Sequence, residues 1–256
     1  MTTHTDTDLL ALATRLSEEA AEIIRVIRAR GFKTLTKTDS SPVTEADHAA
    51  EAHILRGLRA ATPDIPVIAE EEVAAGARTA VAPAYWLVDP LDGTREFAAG
   101  RDDFTVNIGL VRNGRAVLGA MALPAYYQIY SGGVGLGAHR KDKTGVTPIR
   151  VRRAPAEGLS VLASRHHADD TRLAEYLNGR KIATLGNIGS AVKFARVAEG
   201  LVDLYPRLGP TMEWDTAAPQ AIVEAAGGHV TLLDGSELLY GKTDWKNPSF
   251  VCTGTL

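Results

Sequence analysis

The sequence predicts a mixed chain in two parts, an α+β unit over residues 1–150 and an α/β unit over residues 151–256. Three observations predict it. Leu9, Leu12, Leu16, Ala20, Ile23 and Ile27 recur at helical spacing within residues 8–30. Two apolar runs flank Asn113-Gly114, a strong two-residue hairpin signal. Beyond residue 158, strand-like runs alternate with helical stretches, the pattern of an α/β unit.

Taken in order, the first helix stops at Gly31. A second helix starts near Thr44, whose hydroxyl suits an N-cap, with Asp47 in its first turn facing the positive end of the helix dipole. Pro63 marks its far end. Residues 66–69 and 85–88 read as short buried strands, each ending in acids. Residues 104–111 and 116–122 form the hairpin, 126–130 another strand, and Gly132-Gly133 opens a glycine-rich loop. The basic stretch 139–158, with Pro148 and Pro155, holds the boundary between the two parts. Strands at 159–163, 182–185, 202–205 and 229–232 then alternate with helices near 170–178, 190–199 and 216–226.

Composition narrows the function classes. The chain has 256 residues, 45% apolar and 23% charged, ordinary for a soluble globular enzyme. A net charge of −3 argues against a general binder of nucleic acid polymers. Its one cysteine, Cys252, excludes an intrachain disulfide and fits a reducing, cytoplasmic setting. The run Phe250-Val251-Cys252 points to a core role for that thiol. The polar start Met1-Thr2-Thr3-His4-Thr5-Asp6 is not a signal peptide. No apolar run approaches the ~20 residues of a transmembrane helix, so the chain is expected to be soluble and at most peripheral at the inner membrane.

The most informative segment is Trp86-Leu87-Val88-Asp89-Pro90-Leu91-Asp92-Gly93-Thr94. A buried strand delivers Asp89 at its end. Pro90 is expected to forbid further sheet pairing. Asp92 follows a turn, and Gly93 lets backbone approach a ligand. Two carboxylates converging across a tight turn repel unless a cation lies between them, and carboxylate, carbonyl and water are what Mg²⁺ prefers. Gly93 and the residues after it open a short helix whose N–H groups suit a phosphate. Further acids stand at Glu70-Glu71-Glu72, at Asp47, and at Asp215, expected to cap a helix from Thr216. Each alone has an ordinary reading: a solvated Glu loop, a helix cap, an Asp-Pro or Asp-Gly turn. Arg165, His166 and His167 follow a strand and are candidates to line the site. The adjacent histidines point in different directions and are not expected to bind metal.

Asp-Pro-Leu-Asp-Gly-Thr at residues 89–94 resembles the signature of the lithium-sensitive phosphatases of the inositol monophosphatase superfamily. Val43-Thr44-Glu45-Ala46-Asp47, Glu70-Glu71 and Trp214-Asp215-Thr216-Ala217-Ala218 match its other motifs in order, and the similarity runs from about Lys37 to Phe250. Several stretches resemble the CysQ-type 3′(2′),5′-bisphosphate nucleotidases. They are Asp39-Ser40-Ser41-Pro42-Val43-Thr44, Glu96-Phe97, residues 104–108, Gly189-Ser190 with Lys193-Phe194, Ala198-Glu199-Gly200 and residues 204–210. Pro219-Gln220 departs from the glycine of some relatives. It is expected in the first turn of a helix, where proline is tolerated.

The resemblance implies a layered αβαβα sandwich and a Mg²⁺-dependent phosphomonoesterase. Glu70, Asp89 and the Leu91 carbonyl would hold one ion, and Asp89, Asp92 and Asp215 a second, with a third near Glu70 and Asp47 allowed. Thr94 and Asp47 would orient or deprotonate the attacking water, with help from Glu71. Gly93 and Thr94 would meet phosphate oxygens. Ser190, Lys193 and Arg207, along with Asp215, are the candidates for substrate recognition, although Lys193 and Arg207 also read as surface charges. The implied substrate is adenosine 3′,5′-bisphosphate, hydrolysed to AMP, and also its sulfated parent PAPS, in sulfate assimilation. Inhibition by Li⁺ and Ca²⁺ follows by the same analogy. The alternatives are an inositol monophosphatase or sugar phosphatase with the same metal site, and an inactive phosphate-binding regulatory protein. Either a monomer or a homodimer is compatible with the sequence.

Overall fold

The computed structural model describes residues 4–36, 42–165 and 170–256. Helix α1 (Asp6–Arg30) begins two residues before the apolar periodicity. Thr5 and Asp8 form a capping box there, and Gly31 ends the helix at φ 83°. Strands β1 (Thr34–Thr36) and β2 (Pro42–Thr44) pair with each other and lead into α2 (Glu45–Ala61). Thr44 caps α2 as expected, with Asp47 completing the box. A Cβ at Gly57 would overlap Leu16, so α1 and α2 pack closely at that point.

Strand β3 (Val67–Ala69) runs into the short helix α3 (Glu70–Ala74), where a solvated loop is the ordinary reading of the Glu triplet. Strand β4 (Ala84–Asp92) continues past Pro90, contrary to expectation. Asp89 pairs with Asn107 and Asp92 with Thr105, so Pro90 and Leu91 form a one-residue bulge and pairing resumes beyond it. Helix α4 (Thr94–Ala98) follows, capped by Gly93 at φ 96°. The hairpin strands β5 (Thr105–Arg112) and β6 (Arg115–Leu123) meet at Asn113-Gly114, both with positive φ, as the sequence predicts.

The expected strand at 126–130 starts later. A 3₁₀ turn (Pro124–Tyr126) and Tyr127 at φ 55° precede β7 (Gln128–Gly133). Gly132 and Gly133 lie inside β7, not in a loop. A Cβ at Gly132 would crowd Ile222 and Ala225 of the helix packed above it. Strands β8 (Gly137–Asp142) and β9 (Gly145–Pro148) complete a seven-stranded sheet of order β3-β4-β5-β6-β7-β8-β9.

The second sheet opens at β10 (Leu159–Ser164), followed by α5 (Asp170–Leu177), β11 (Ile182–Ile188), α6 (Val192–Ala198), β12 (Leu204–Arg207) and β13 (Thr211–Met212). Then come α7 (Glu213–Ala225), β14 (His229–Leu232), β15 (Lys246–Asn247) and β16 (Phe250–Thr253). Its order is β11-β10-β12-β16-β14. Helix α7 begins at Glu213, three residues before the sequence suggests. Asp215 is therefore its third residue, accepting from the Met212 N–H, not its N-cap. Pro219 consequently sits inside the helix, not in its first turn.

The core clusters define five layers. Helices α1 and α2 cover one face of the seven-stranded sheet through Leu16, Ile54, Trp86, Ile108 and Leu118. Helices α6 and α7 fill the space between the sheets with Met121, Phe194, Ile222 and Phe250. Helix α5 covers the far face of the second sheet through Leu173 and Leu177. Cys252 is fully buried in the middle layer, in the core role expected of it. The approach of α7 to the first sheet is unusually close. A Cβ on Gly109 or Gly119 would lie 2.6 or 2.5 Å from backbone atoms of Ala218.

Candidate active site

Four acids from three places, with Glu96 of α4 as a fifth, line one cavity of about 420 Å³. Glu70 heads α3 beyond the end of β3. Asp89 and Asp92 flank the β4 bulge, and Asp215 sits in the first turn of α7. The bulge brings both aspartates to the cavity without breaking the strand. Asp89 is 1% exposed and accepts the Leu91 N–H at 3.0 Å. Burial first, then the nearby charges of Glu70, Asp92 and Asp215, hold its carboxyl well above the usual carboxylate range. Burial and the Asp92 charge raise Asp215 likewise. Asp92 is also raised by burial, against the opposing pull of Lys193 and of the Ala191 N–H, which it accepts at 2.5 Å.

Such a gathering of mutually repelling carboxylates fits a hard divalent cation, and Leu91 lines the same cavity. Among the described residues, no three His, Cys, Asp or Glu side chains form a closed coordination cage. Asp89, Asp92 and Asp215 each turn an oxygen onto a backbone N–H.

Asp47, the third residue of α2, is not among the lining residues but reaches Thr94, which is. Its Oδ2 accepts the Thr44 N–H at 2.8 Å and the Thr44 hydroxyl at 2.6 Å. Its Oδ1 is 2.9 Å from Thr94 Oγ1, which is also 3.1 Å from the Leu91 carbonyl. Glu71 is not among the lining residues, and its N–H donates to Glu51.

The second sheet and α6 supply the positive side. Lys193 is no surface charge, being 1% exposed. Its ammonium donates to the carbonyls of Ile188 and Ser190 at 2.9 and 2.6 Å and lies over the Tyr205 ring. Burial, with Arg207 adding to it, pushes its pKa down to about 7. Arg207 is 8% exposed and donates to Ser164 Oγ and the Pro210 carbonyl. Ser190 has φ 49° and its Oγ accepts the Val192 N–H. All three line the cavity with Gly93 and Thr94. Arg165 is not among the lining residues. It spans from the end of β10 to Glu96 and Asp103. His166, His167 and Asp39-Ser40-Ser41 lie outside the described residues.

Sequence reasoning missed Thr105, Tyr205 and Glu51. Thr105 stands opposite Asp92 in register and donates to it. Tyr205 lines the cavity beneath Lys193. Glu51 accepts the N–H groups of Glu71 and Glu72 and so caps α3 from outside its own sequence neighbourhood. None of the three had a local signal, because each acts through a partner on another element.

A layered αβαβα fold with an acid-lined cavity at the seam of its sheets defines a phosphatase-type scaffold. The profile of the inositol monophosphatase family matches residues 6–254, and the chain belongs to that family. The 3′(2′),5′-bisphosphate nucleotidase CysQ of Salmonella typhimurium is 43% identical over 249 residues, covering 96% of this chain and 99% of that protein. The crystal structure of CysQ from Bacteroides thetaiotaomicron superposes with a TM-score of 0.84 at 31% identity, covering 98% of both chains. An inositol monophosphatase from Thermotoga maritima superposes at 0.81 with 26% identity, covering 97% of this chain and 93% of that one.

Proposed function

We propose that this chain hydrolyses the 3′-phosphate of adenosine 3′,5′-bisphosphate to AMP and phosphate, and accepts PAPS as well. One observation carries the reading: a single cavity sets four acids against two buried cations, Lys193 and Arg207. The acids suit metal and the cleaved phosphate, while the cations suit a second phosphate. The named activity of the CysQ relatives supports the same substrate.

Glu70, Asp89, Asp92, Asp215 and the Leu91 carbonyl are the residues that would hold Mg²⁺, two or three ions per site. When bound, the ions acidify water and neutralise charge on the phosphate. This chain's own groups handle the proton and the orientation. Thr94 donates to Asp47, which leaves the Thr94 oxygen lone pairs to accept a hydrogen bond from water. As water attacks phosphorus, its proton passes through Thr94 towards Asp47. The phosphorus–O3′ bond breaks, and the 3′-oxygen of AMP departs opposite the incoming oxygen and takes a proton from solvent water to become the 3′-hydroxyl. Gly93 and Thr94 N–H groups face the phosphate, Ser190, Lys193 and Arg207 hold the rest of the nucleotide, and Glu71 assists from behind Glu70. Li⁺ and Ca²⁺ inhibit by competing for the carboxylates. A cytoplasmic setting suits the buried lone thiol, and no helix among the described residues is long and apolar enough to cross a membrane.

Phosphate release from a panel of adenosine 3′,5′-bisphosphate, PAPS, inositol 1-phosphate and fructose 1,6-bisphosphate, with Mg²⁺, tests the reading. The nucleotides are expected to lead in kcat/KM. Ready cleavage of inositol phosphate with an inert nucleotide would sink it.

A further inference from the structure

Outside the acid cluster, the seam between the sheets contains a second set of charges. Glu96, in α4, is 1% exposed and lines the cavity wall. Arg101 reaches its Oε2 at 2.7 Å from the same side of the seam, and Arg165 reaches its Oε1 at 3.1 Å from the second sheet. The other arm of Arg165 is 2.9 Å from Asp103, whose second oxygen accepts the Tyr126 hydroxyl at 3.0 Å. Arg165 directly follows Ser164, the residue that receives Arg207.

Backbone packing along the seam is equally tight. A Cβ on Gly189 would stand 2.6 Å from Glu96, and one on Gly93 would stand 2.8 Å from the Asp103 carbonyl and 3.1 Å from Ser190. The 188–191 turn, whose carbonyls hold Lys193, therefore rests on the Glu96 side chain.

We propose that Glu96, Asp103 and Arg165 act as a positioning clamp that sets the nucleotide-recognition half of the cavity against the hydrolytic half. Arg165 fixes the end of β10 and with it the Ser164–Arg207 pair. Glu96 supports the turn that carries Ser190 and anchors Lys193. Asp89 and Asp215 turn to other donors, Leu91 and Met212, whereas Asp92 meets the turn through the Ala191 N–H. The clamp is thus needed by a substrate that spans both halves and not by a small phosphomonoester. The assignment rests on the nucleotide reading above.

The test uses Glu96→Gln, Arg165→Met and the double variant, with adenosine 3′,5′-bisphosphate and glycerol 2-phosphate as substrates and Mg²⁺ present. Each single variant is expected to raise KM for the nucleotide on the order of tenfold, the effect of losing one charge-assisted contact. At saturating Mg²⁺, where any loss of ion affinity through Asp92 is masked, kcat/KM on glycerol 2-phosphate should stay within about twofold. The double variant should be worse than either single one but less than additive, because the two share the Glu96–Arg165 link while each also has contacts of its own. Wild-type turnover of the nucleotide is read first, and its absence overturns the substrate assignment. An active wild type with an unshifted nucleotide KM in the variants overturns the clamp alone. Equal losses on both substrates also overturn it. Should Glu96→Gln fail to fold, Arg165→Lys carries the same readout, since it keeps the charge but loses the two-armed reach.

Discussion

The Thr94 hydroxyl lies 2.9 Å from Asp47 Oδ1, joining the first turn of α4 to the first turn of α2. Two segments 47 residues apart in sequence are thereby joined by one hydrogen bond, the one along which the proposed mechanism moves a proton. Asp47→Asn and Thr94→Val are each expected to lower kcat by about 10²–10⁴ while changing KM little. Thr94→Ser should retain most of the activity. Asp47→Asn also weakens the α2 cap, at a cost of about 1 kcal/mol, which thermal unfolding will read. A wild-type kcat in Thr94→Val would remove the hydroxyl from the reaction.

Asp215→Asn and Asp92→Asn remove one of four neighbouring negative charges. Both should abolish Mg²⁺-dependent turnover, and calorimetry should show weakened Mg²⁺ uptake. Without metal, the variants should unfold at a higher temperature than the wild type at neutral pH, because a mutually repelling carboxylate is gone. A lower melting temperature together with normal Mg²⁺ uptake would contradict the shared site.

Glu51 provides a pH signature outside that cluster. Burial, opposed in part by the Glu71 N–H, pushes its pKa up from 4.5 to about 7. Between those values the folded state binds more protons than the unfolded state, so this contribution to stability falls as pH rises. The loss is at most about 3 kcal/mol and is complete once pH passes the folded-state value. Glu51→Gln should flatten the melting temperature of metal-free protein against pH across this window. An unchanged slope would refute the assignment.

Gly119→Ala and Gly109→Ala test how the helix reaches the sheet. Their new methyl groups would lie 2.5–2.6 Å from the α7 backbone. The helix must move outward, at a cost of about 1–3 kcal/mol. Because α7 carries Asp215, Mg²⁺ affinity should fall with stability, and kcat should fall at subsaturating Mg²⁺. Full activity at wild-type Mg²⁺ concentrations would show that the helix is not a rigid carrier.

Local signals made much of this legible in the sequence. Helix α2 was read from Thr44 and Asp47 because a cap is written within four residues, and Asn113-Gly114 fixed the hairpin by its conformational demand. The Asp89–Thr94 segment and Asp215 were legible as motifs. What escaped depends on partners distant in sequence. Pro90 was expected to end its strand, but the pairing of Thr105 with Asp92 carries β4 across the bulge. Gly132 and Gly133 looked like loop residues because the helix that crowds Gly132 lies about ninety residues away. Lys193 and Arg207 could be read as solvated cations, and only the packing of α6 against the second sheet buries them. The sequence places Asp215 at the N-cap, because nothing local announces that α7 begins at Glu213.

The Asp92 carboxylate accepts the Ala191 N–H, so a candidate ligand of the first sheet is tied to a turn between the second sheet and α6. That single bond makes ion affinity and inter-sheet alignment thermodynamically linked quantities. Whatever free energy a bound divalent ion contributes to keeping the two halves in register, a substrate that holds them in register returns as tighter retention of the ion.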